Sequence, residues 1–364
     1  MEQHSLGRTG LKVSALCLGC MTFGEKIDEA SAYRILDRFV EAGGNFFDTA
    51  NNYVGPYGAS EEIVGNWLKM RGLRDQRVIA TKVRFPVGEG ANDVGLSRKH
   101  IMQAVETSLR RLQTEYIDLY QAHCWDFVTP VEETLRAFDD LVTAGKVRYI
   151  GASNFASWHL MKSLAVSDAH SWARYSCLQT QYNLLTRSPE WELLPLCREE
   201  GVGVTVWSPL AAGWLTGKYR QDEAPAPNTR IGEVVQTEEE WQRFLQIDIT
   251  ATIPHPPVIQ SEGAFQALLR AQETERRWRV IETVRQIAQE HRKTATQVAL
   301  AWVRTRPGVT APILGVRSVE QLEENLGCLG WHLSEAAITL LDKVSDPGLP
   351  YPHDFFAHYG IPWR

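Results

Sequence analysis

Polar residues end three successive apolar segments near the start of the chain. The segments are NFFDTANNY (45–53), RVIATK (77–82) and YIDLYQAH (116–123). The apolar runs within them end at Asp48, Lys82 and His123, and Tyr53 lies five residues after Asp48. A carboxylate, an ammonium, an imidazole and a phenol can together move a proton to or from a substrate oxygen. The pattern predicts a catalytic cluster on one face of a parallel sheet.

The chemistry of this cluster centres on Tyr53. A free tyrosine loses its proton near pH ~10, and a lysine cation beside it lowers that pKa. We therefore expect Lys82 to lower the pKa of Tyr53, while Asp48 holds Lys82 charged. His123 is expected to orient a substrate oxygen or to relay the proton. Such an acid suits carbonyl reduction, and because no side chain supplies hydride, a nicotinamide is required.

Each of these residues also has a structural interpretation. Asp48 with Lys82 fits a structural ion pair, His123 fits a hydrogen-bonded core histidine, and Tyr53 fits a surface residue of an Asn-rich loop. Agreement of all positions with one architecture favours the catalytic interpretation.

The elements that must position these residues alternate along the chain. Short apolar runs predict strands, and the stretches of three-to-four spacing between them predict helices. The expected strands are 15–19, 45–48, 77–82, 116–121, 147–151, 176–179, 202–207 and 311–315. The expected helices are 30–43, 60–70, 97–112, 130–146, 157–167, 188–201 (interrupted by Pro195), 273–291 and 294–306. This alternation favours an α/β fold of the closed (β/α)8 TIM-barrel type, in a single domain over 1–364.

Two segments depart from the alternation. HSLGRTGLKVS (4–14) predicts an N-terminal β-hairpin, with its turn at 8–10, that plugs the bottom of the barrel. A long loop follows strand seven, and we interpret 220–270 as an elaborated loop over the barrel mouth. Such a loop is either a lid or an insertion without a role.

The later strand ends carry neutral polar groups. In a (β/α)8 barrel the active site lies at the carboxyl ends of the strands. Ser153, Asn154 and Gln179 suit a nicotinamide carboxamide, and Trp207 suits stacking on its ring. A 2′-phosphate requires fixed cations, which Lys218, Arg230 and Arg317 could supply, so the sequence predicts NADPH over NADH.

The loops after the first four strands supply candidate pocket walls. They favour a flat or apolar carbonyl substrate. The walls are Met21, Phe23, Tyr57, Arg84, Phe85 and Trp125. Arg84 either meets an acidic or phosphorylated group or lies on a solvated rim.

The bulk composition limits the partners. The chain has 364 residues, with 38 basic against 44 acidic residues and a formal charge of −6, which argues against nucleic acid. No apolar run is long enough to predict a membrane span.

The first residues lack a signal-peptide pattern, and six cysteines are no disulfide framework, so we expect a cytoplasmic protein. Cys17 and Cys20 are interpreted as packing residues rather than redox or metal groups, and no metal is expected. The sequence leaves open whether the protein is a monomer or a homo-oligomer.

These motifs resemble the aldo-keto reductase family over nearly the whole chain. GGNFFDTANNY, ATK and YQAH resemble its catalytic segments; GASNF, LQTQYNLL, VWSPLAAGWLTGKY and PILGVRSVEQLEENL resemble its cofactor segments. The resemblance is strongest to the branch of aryl-alcohol dehydrogenases and potassium-channel β-subunits. It implies a (β/α)8 barrel, NADPH and carbonyl reduction, with Tyr53 as general acid supported by Asp48, Lys82 and His123. The cofactor residues that it implies are Thr22, Ser153, Asn154, Gln179, Trp207, Ser208, Leu210, Lys218, Arg230, Gly315, Arg317, Gln321, Glu324 and Asn325.

The leading hypothesis is an NADPH-dependent reductase of aldehydes or ketones acting on a small molecule. One alternative is a redox-sensing regulatory subunit that binds NADPH and turns over slowly. Another is a deoxysugar (nucleotide-sugar) reductase of secondary metabolism. A hydrolytic barrel without nicotinamide is disfavoured by the amide groups at the strand ends.

Overall fold

The computed structural model describes residues 1–227, 229–233, 235, 237–245 and 264–361. The chain folds into two compact units. The first contains Met1–Gln181, Pro189–Trp207 and Arg304–Leu326; the second contains Tyr182–Ser188, Ser208–Val303 and Gly327–Arg364. A single domain over the whole chain stays a prediction.

The first unit contains a short hairpin and a closed barrel of eight parallel strands. The hairpin strands are β1 (Gln3–Ser5) and β2 (Lys12–Ser14). The barrel strands are β3 (Cys17–Gly19), β4 (Phe46–Asp48), β5 (Val78–Val83), β6 (Ile117–Ala122), β7 (Val147–Ser153), β8 (Tyr175–Gln181), β9 (Gly203–Trp207) and β10 (Val309–Gly315). They follow chain order around the barrel, and β10 closes it by pairing with β3. Every predicted strand is present with its ends within two residues of expectation, so the (β/α)8 prediction is confirmed.

Twelve α-helices complete the described residues. They are α1 (Glu29–Glu41), α2 (Ala59–Arg71), α3 (Arg98–Leu112), α4 (Val131–Thr143), α5 (Ser157–His170), α6 (Leu193–Glu199), α7 (Glu238–Leu245), α8 (Ala264–His291), α9 (Ala295–Arg304), α10 (Val319–Leu326), α11 (Glu335–Val344) and α12 (His353–His358). Shorter turns are a π-helical turn at Val54–Gly58 and 3₁₀ turns at Arg74–Gln76, Ser188–Glu190 and Ala211–Thr216. None of the described helices is long and apolar enough to cross a membrane.

Local sequence explains where the helices begin and break. The side chains of Asp28 and Ser97 accept hydrogen bonds from the backbone N–H groups of Ser31 and His100, which caps α1 and α3. The predicted helix over 188–201 is divided into a 3₁₀ turn and α6. Pro195 lies in the first turn of α6, where its missing N–H is tolerated.

The hairpin covers the amino-terminal end of the barrel, as predicted. Leu6 and Val13 are fully buried and pack with Phe46 and Val78, which begin β4 and β5. At Gly7, which has a positive φ of 58°, a Cβ atom would lie 2.4 Å from the carbonyl oxygen of Gly201. Only glycine allows this approach of backbone to backbone.

The second unit contains α7, α8, α11, α12 and nearly all of α9. α8 packs on α11, where the Arg276 guanidinium donates to the carbonyl oxygen of Ser345 at 2.8 Å. The Trp214 ring stacks on Trp241 at 5.5 Å between centroids and meets Trp278 edge-on. The segment predicted as a loop over 220–270 therefore includes helix α7 and the start of α8. Residues 228, 234, 236 and 246–263 of that prediction lie outside the described residues, and its lid role stays a prediction.

Candidate active site

Four side chains meet where β4, β5 and β6 end. Asp48 is the last residue of β4, Lys82 is the penultimate residue of β5, and His123 directly follows β6. Tyr53 immediately precedes the π-helical turn in the loop after β4. We call Asp48, Tyr53, Lys82 and His123 the tetrad. Its proximity follows from parallel strands, whose carboxyl ends share one edge.

The Lys82 ammonium is the centre of the tetrad. Its Nζ donates to Asp48 Oδ1 at 2.5 Å, to the Thr49 carbonyl oxygen at 2.8 Å and to the Tyr53 hydroxyl oxygen at 3.1 Å. An ammonium has three protons, so these three acceptors satisfy it and fix its direction. Lys82 has no exposed surface.

The charge of Lys82 is held by its neighbours. Burial lowers the pKa of Lys82, but the Asp48 carboxylate and the Tyr53 phenol raise it more, so the net pKa lies above its usual value. Lys82 is therefore a permanent cation at neutral pH, aimed at the Tyr53 oxygen.

The pKa of Tyr53 is raised, which corrects the expectation from sequence. Burial raises this pKa more than the Lys82 cation lowers it, and the Asp48 charge raises it further. Lys82 acts in the expected direction, but it is not the largest influence. Tyr53 thus keeps its proton at neutral pH, as a proton donor must.

His123 is buried and neutral. Burial lowers its pKa, and the cations of Lys82 and Arg84 lower it further. Its Nδ1 atom is buried without a hydrogen-bond partner among the described residues. The His123 ring meets Tyr53 edge-on, with 5.7 Å between centroids. A neutral imidazole can donate from one nitrogen and accept at the other.

Asp48 receives two further hydrogen bonds from glutamines. Gln179 Nε2 donates to Asp48 Oδ2 at 2.7 Å, and Gln121 Nε2 donates to the same oxygen at 3.3 Å. Sequence reasoning missed Gln121, although a signal was present. It lies two residues before His123, and alternate residues of a strand share a face.

A second missed group anchors the loop that carries Tyr53. Arg111 Nη1 donates to the Asn51 carbonyl oxygen at 3.1 Å and to Glu61 Oε2 at 3.3 Å. Glu61 is fully buried and its Oε1 accepts from the Thr81 hydroxyl at 2.7 Å. This network ties α2 and α3 to the Tyr53 loop and to β5, so it restricts where the phenol can lie.

Neutral polar groups end β7, β8 and β9. Asn154 Nδ2 donates to the His123 carbonyl oxygen at 3.0 Å and to Ser153 Oγ at 3.1 Å, and its Oδ1 accepts from Trp207 Nε1 at 3.0 Å. Asn154 has a positive φ of 54°, which asparagine tolerates. We call Ser153, Asn154, Gln179 and Trp207 the amide set.

The amide set retains capacity to bind a ligand. Gln179 uses one Nε2 proton on Asp48, and its Oε1 makes no hydrogen bond within the described residues. Ser153 Oγ accepts from Asn154, so its own proton is available to donate. A carboxamide has an oxygen that accepts and an NH2 group that donates. The Ser153 hydroxyl and the Gln179 Oε1 can pair with these two groups.

The remaining cofactor predictions within the first unit lie in two places. Thr22 is half-buried in the loop after β3, and its carbonyl oxygen accepts from Lys26. Gly315 ends β10, where an added Cβ would meet nothing within 4 Å. The segment after it contains Arg317, Gln321, Glu324 and Asn325. The Arg317 N–H donates to Gln321 Oε1 at 2.8 Å, and Asn325 is buried.

Four cofactor predictions lie in the second unit. The Ser208 carbonyl oxygen accepts from Asn183 at 2.9 Å, and Leu210 precedes the 3₁₀ turn. The Lys218 ammonium lies 5.2 Å from the Tyr219 ring centroid. Arg230 is exposed. Their roles stay predictions.

The predicted pocket walls divide into three groups. Phe85 contacts the tetrad directly, because its ring meets His123 edge-on at 4.6 Å, and Arg84 lies over Phe85. Trp125 instead stacks on His159 at 4.2 Å, while Tyr57 is exposed. Phe23 has no exposed surface, and its role as a pocket wall stays a prediction.

Among the described residues, no group of three His, Cys, Asp or Glu side chains could hold a metal ion. Cys17 and Cys20 are both fully buried, in agreement with a packing role.

Comparison with known proteins relates these features to one family. The model of the aldo/keto reductase family matches residues 15–346. An uncharacterized oxidoreductase YrpG of Bacillus subtilis is 38% identical over 351 residues, 94% of this chain and 96% of that protein. A norsolorinic acid reductase of Aspergillus flavus is 33% identical, and the alignment covers 95% of this chain and 81% of that protein. A probable voltage-gated potassium channel subunit beta of Oryza sativa is 33% identical, covering 90% and 91% respectively.

Proposed function

Because the chain belongs to the aldo-keto reductase family, as the match over residues 15–346 shows, we propose that it reduces an aldehyde or ketone to an alcohol with NADPH and that Tyr53 is the general acid. The family itself makes the protein an oxidoreductase that reduces carbonyl groups and uses a nicotinamide cofactor. The observation that carries the finer proposal is the Lys82 ammonium, which is bonded to both Asp48 and the Tyr53 oxygen.

Lys82 prepares Tyr53 to lose its proton. In its resting form Tyr53 is protonated, since burial raises its pKa. When its proton passes to a carbonyl oxygen, the phenolate that forms faces a fixed cation 3.1 Å away. A preorganised charge in a buried site stabilises such an anion far better than water does.

Asp48 keeps the cation in place. Its two oxygens accept from Lys82, Gln121 and Gln179, so three donors fix the direction of the carboxylate. The role of Asp48 in this proposal is to hold Lys82 charged and aimed.

His123 orients the substrate oxygen. Its neutral ring lies edge-on to Tyr53 and can donate one hydrogen bond to that oxygen. Because the ring carries no charge, it does not compete with Tyr53 as the acid at neutral pH.

The amide set would hold the nicotinamide. A bound NADPH supplies the hydride that no side chain can. Ser153 and Gln179 have the unused donor and acceptor groups for its carboxamide, and Asn154 fixes the Trp207 indole for stacking on the ring. Arg317 is the first-unit cation that we propose for the 2′-phosphate, which would favour NADPH over NADH.

Removing the Tyr53 hydroxyl tests the proposal. We expect wild type to consume NADPH faster than NADH over a panel of aromatic aldehydes, ketones, sugar phosphates and nucleotide sugars. Tyr53→Phe should lose ~10²–10⁴-fold in kcat, since it lacks the donated proton, yet should bind NADPH in a fluorescence titration. Tyr33→Phe is the matched control, because Tyr33 lies on α1 and its hydroxyl donates to Glu29 rather than to a member of the tetrad. Wild-type turnover in Tyr53→Phe would exclude Tyr53 as the acid.

The same panel decides a second candidate, a redox-sensing subunit that binds NADPH and turns over slowly. The similarity to the Oryza sativa channel-subunit relative over nine-tenths of both chains favours it. Tight NADPH binding with only a few turnovers on every substrate would support it. Turnover confined to nucleotide sugars would instead support the deoxysugar reductase. The cytoplasmic location and the oligomeric state stay predictions.

A further inference from the structure

An arginine beside the tetrad has no ionic partner in the part of the chain that the structure describes. Arg84 directly follows β5, two residues after Lys82. None of its side-chain nitrogens makes a hydrogen bond or an ion pair within the described residues, and Nε is buried. Its guanidinium carbon lies 5.3 Å from the Phe85 ring centroid, and that ring packs on His123. Since His123 meets Tyr53, a chain of contacts connects Arg84 to Tyr53.

The charge of Arg84 acts on the tetrad. It lowers the pKa of His123, together with burial and Lys82. The Arg84 charge also acts on Asp126, whose pKa it lowers, and the Asp126 oxygens accept from the backbone N–H groups of Leu96 and Val128 and from the Thr129 hydroxyl. Asp126 is therefore hydrogen-bonded by other donors, and it forms no ion pair with Arg84.

The position of Arg84 is held by the backbone. Its φ is 147°, a conformation that non-glycine residues rarely adopt, and its carbonyl oxygen accepts from the Gly95 N–H at 2.8 Å. Strained residues of this kind persist where surrounding structure fixes them, often beside ligand sites. An arginine on a solvated rim would extend its whole side chain into water, whereas Arg84 is half-buried with Nε enclosed.

We propose that Arg84 is a specificity-determining residue that binds an anionic oxygen group of the substrate. The substrates are then carbonyl compounds that carry a carboxylate or a phosphate, placed roughly one aromatic ring away from the reacting carbonyl. A guanidinium matches both groups through paired N–H donors, and a half-buried unpaired cation binds them more strongly than an exposed one. This inference rests on the proposed carbonyl reduction and adds the class of substrate.

Matched acid and neutral substrates test the inference. The pairs are 3- and 4-carboxybenzaldehyde against their methyl esters, and 4-formylphenyl phosphate against 4-methoxybenzaldehyde. We expect wild type to prefer at least one anion over its neutral partner by ~10-fold or more in kcat/KM. Whichever pair shows the larger ratio identifies carboxylate or phosphate. Arg84→Met should bring that ratio close to one, and Arg84→Lys should leave an intermediate ratio, which keeps the test valid if the methionine variant folds poorly.

Arg77→Met is the control variant. Arg77 precedes the same strand at its opposite end and also has a buried Nε without a partner among the described residues. It should keep the wild-type ratio. A ratio unchanged in Arg84→Met, or a ratio lost equally in Arg77→Met, would overturn the role of Arg84.

A binding measurement separates this inference from the proposed function. Tryptophan fluorescence is titrated with benzoate, phenyl phosphate and methyl benzoate, which need no turnover. Tighter binding of an anion by wild type than by Arg84→Met would support the inference even if no aldehyde were reduced. Equal binding by the two proteins would overturn it, while reduction of neutral aldehydes would still uphold the proposed function.

Discussion

The tetrad and the amide set lie on the same barrel but differ in charge and in how their groups are hydrogen-bonded. The tetrad buries a cation and an anion and satisfies each with several hydrogen bonds. The amide set contains no charge, and its members are connected to one another by single neutral hydrogen bonds. The difference matches the two proposed roles, because a proton donor benefits from a fixed charge whereas a carboxamide needs correctly directed donors and acceptors.

Asn154 of the amide set donates to the His123 carbonyl oxygen, and a bond between two side chains connects the regions at Gln179. This residue belongs to the amide set by position, since Ser153 and Gln179 are paired across β7 and β8. Its amide nevertheless donates to Asp48 of the tetrad at 2.7 Å. A change in the amide set can therefore reach the charge of the tetrad through one hydrogen bond.

The largest effect is expected on removing the tetrad cation. Lys82→Met leaves the Tyr53 phenolate unsupported, and we expect kcat to fall by ~10³-fold, in the range seen when a preorganised charge is lost. The buried Asp48 carboxylate also loses its counter-ion, which should lower the free energy of unfolding by about 3–5 kcal/mol. Steady-state kinetics and urea denaturation measure the two effects.

A double variant separates these two effects of Lys82. Asp48→Asn with Lys82→Met should regain much of the stability, because no charge stays buried, but not the activity. Lys69→Met, on the exposed end of α2, should behave as wild type. Recovery of activity in the double variant would contradict the role of the cation.

An intermediate effect is expected at the residue that joins the regions. Gln179→Leu should raise the apparent KM for the nicotinamide and lower kcat, each by ~10-fold, since it removes a carboxamide partner and a bond to Asp48. In a double-mutant cycle with Asp48→Asn, the effects on kcat should deviate from additivity by about 0.5–3 kcal/mol. Additive effects would show that the two regions act independently.

The smallest effect is expected from pH. The pKa of His123 is lowered below its usual value and those of Tyr53 and Lys82 are raised, so no member of these three titrates near neutrality. We expect kcat/KM to vary by less than about threefold between pH ~7 and ~9. Activity should be lost only as rising pH removes the Tyr53 proton, above its usual pKa. An alkaline loss with its midpoint below pH ~9 would mean that Lys82, rather than burial, dominates Tyr53.

Most of the barrel was predictable because each strand is an apolar run bounded by polar residues. The same property placed Asp48, Lys82 and His123 at neighbouring strand ends without any knowledge of contacts. The direction of the Tyr53 pKa was not predictable, since it depends on how far the site removes the phenol from water. The sequence shows that a lysine is present near Tyr53, but it does not show how strongly the site is shielded from water.

The hydrogen-bond and packing partners of side chains were harder to predict from the sequence than the positions of residues at strand ends. Gln179 was expected to serve a carboxamide, and its bond to Asp48 depends on the inward geometry of β8. Phe23 was expected in a pocket because it follows a strand end, and the structure adds that the loop after β3 buries it completely. Residues 220–270 looked like a loop because of their prolines, although part of that stretch forms α7 and α8.

The pairing of β3 with β10 has a consequence for synthesis of the chain. Cys17 lies beside Ile313, so one edge of the first barrel strand stays unpaired until almost the whole polypeptide has left the ribosome. At ordinary elongation rates the wait is on the order of 15–60 s, during which seven strands form an open sheet at most. The nascent chain therefore passes through a long interval with two exposed sheet edges, and any chaperone that helps it must shield those edges until the last strand arrives.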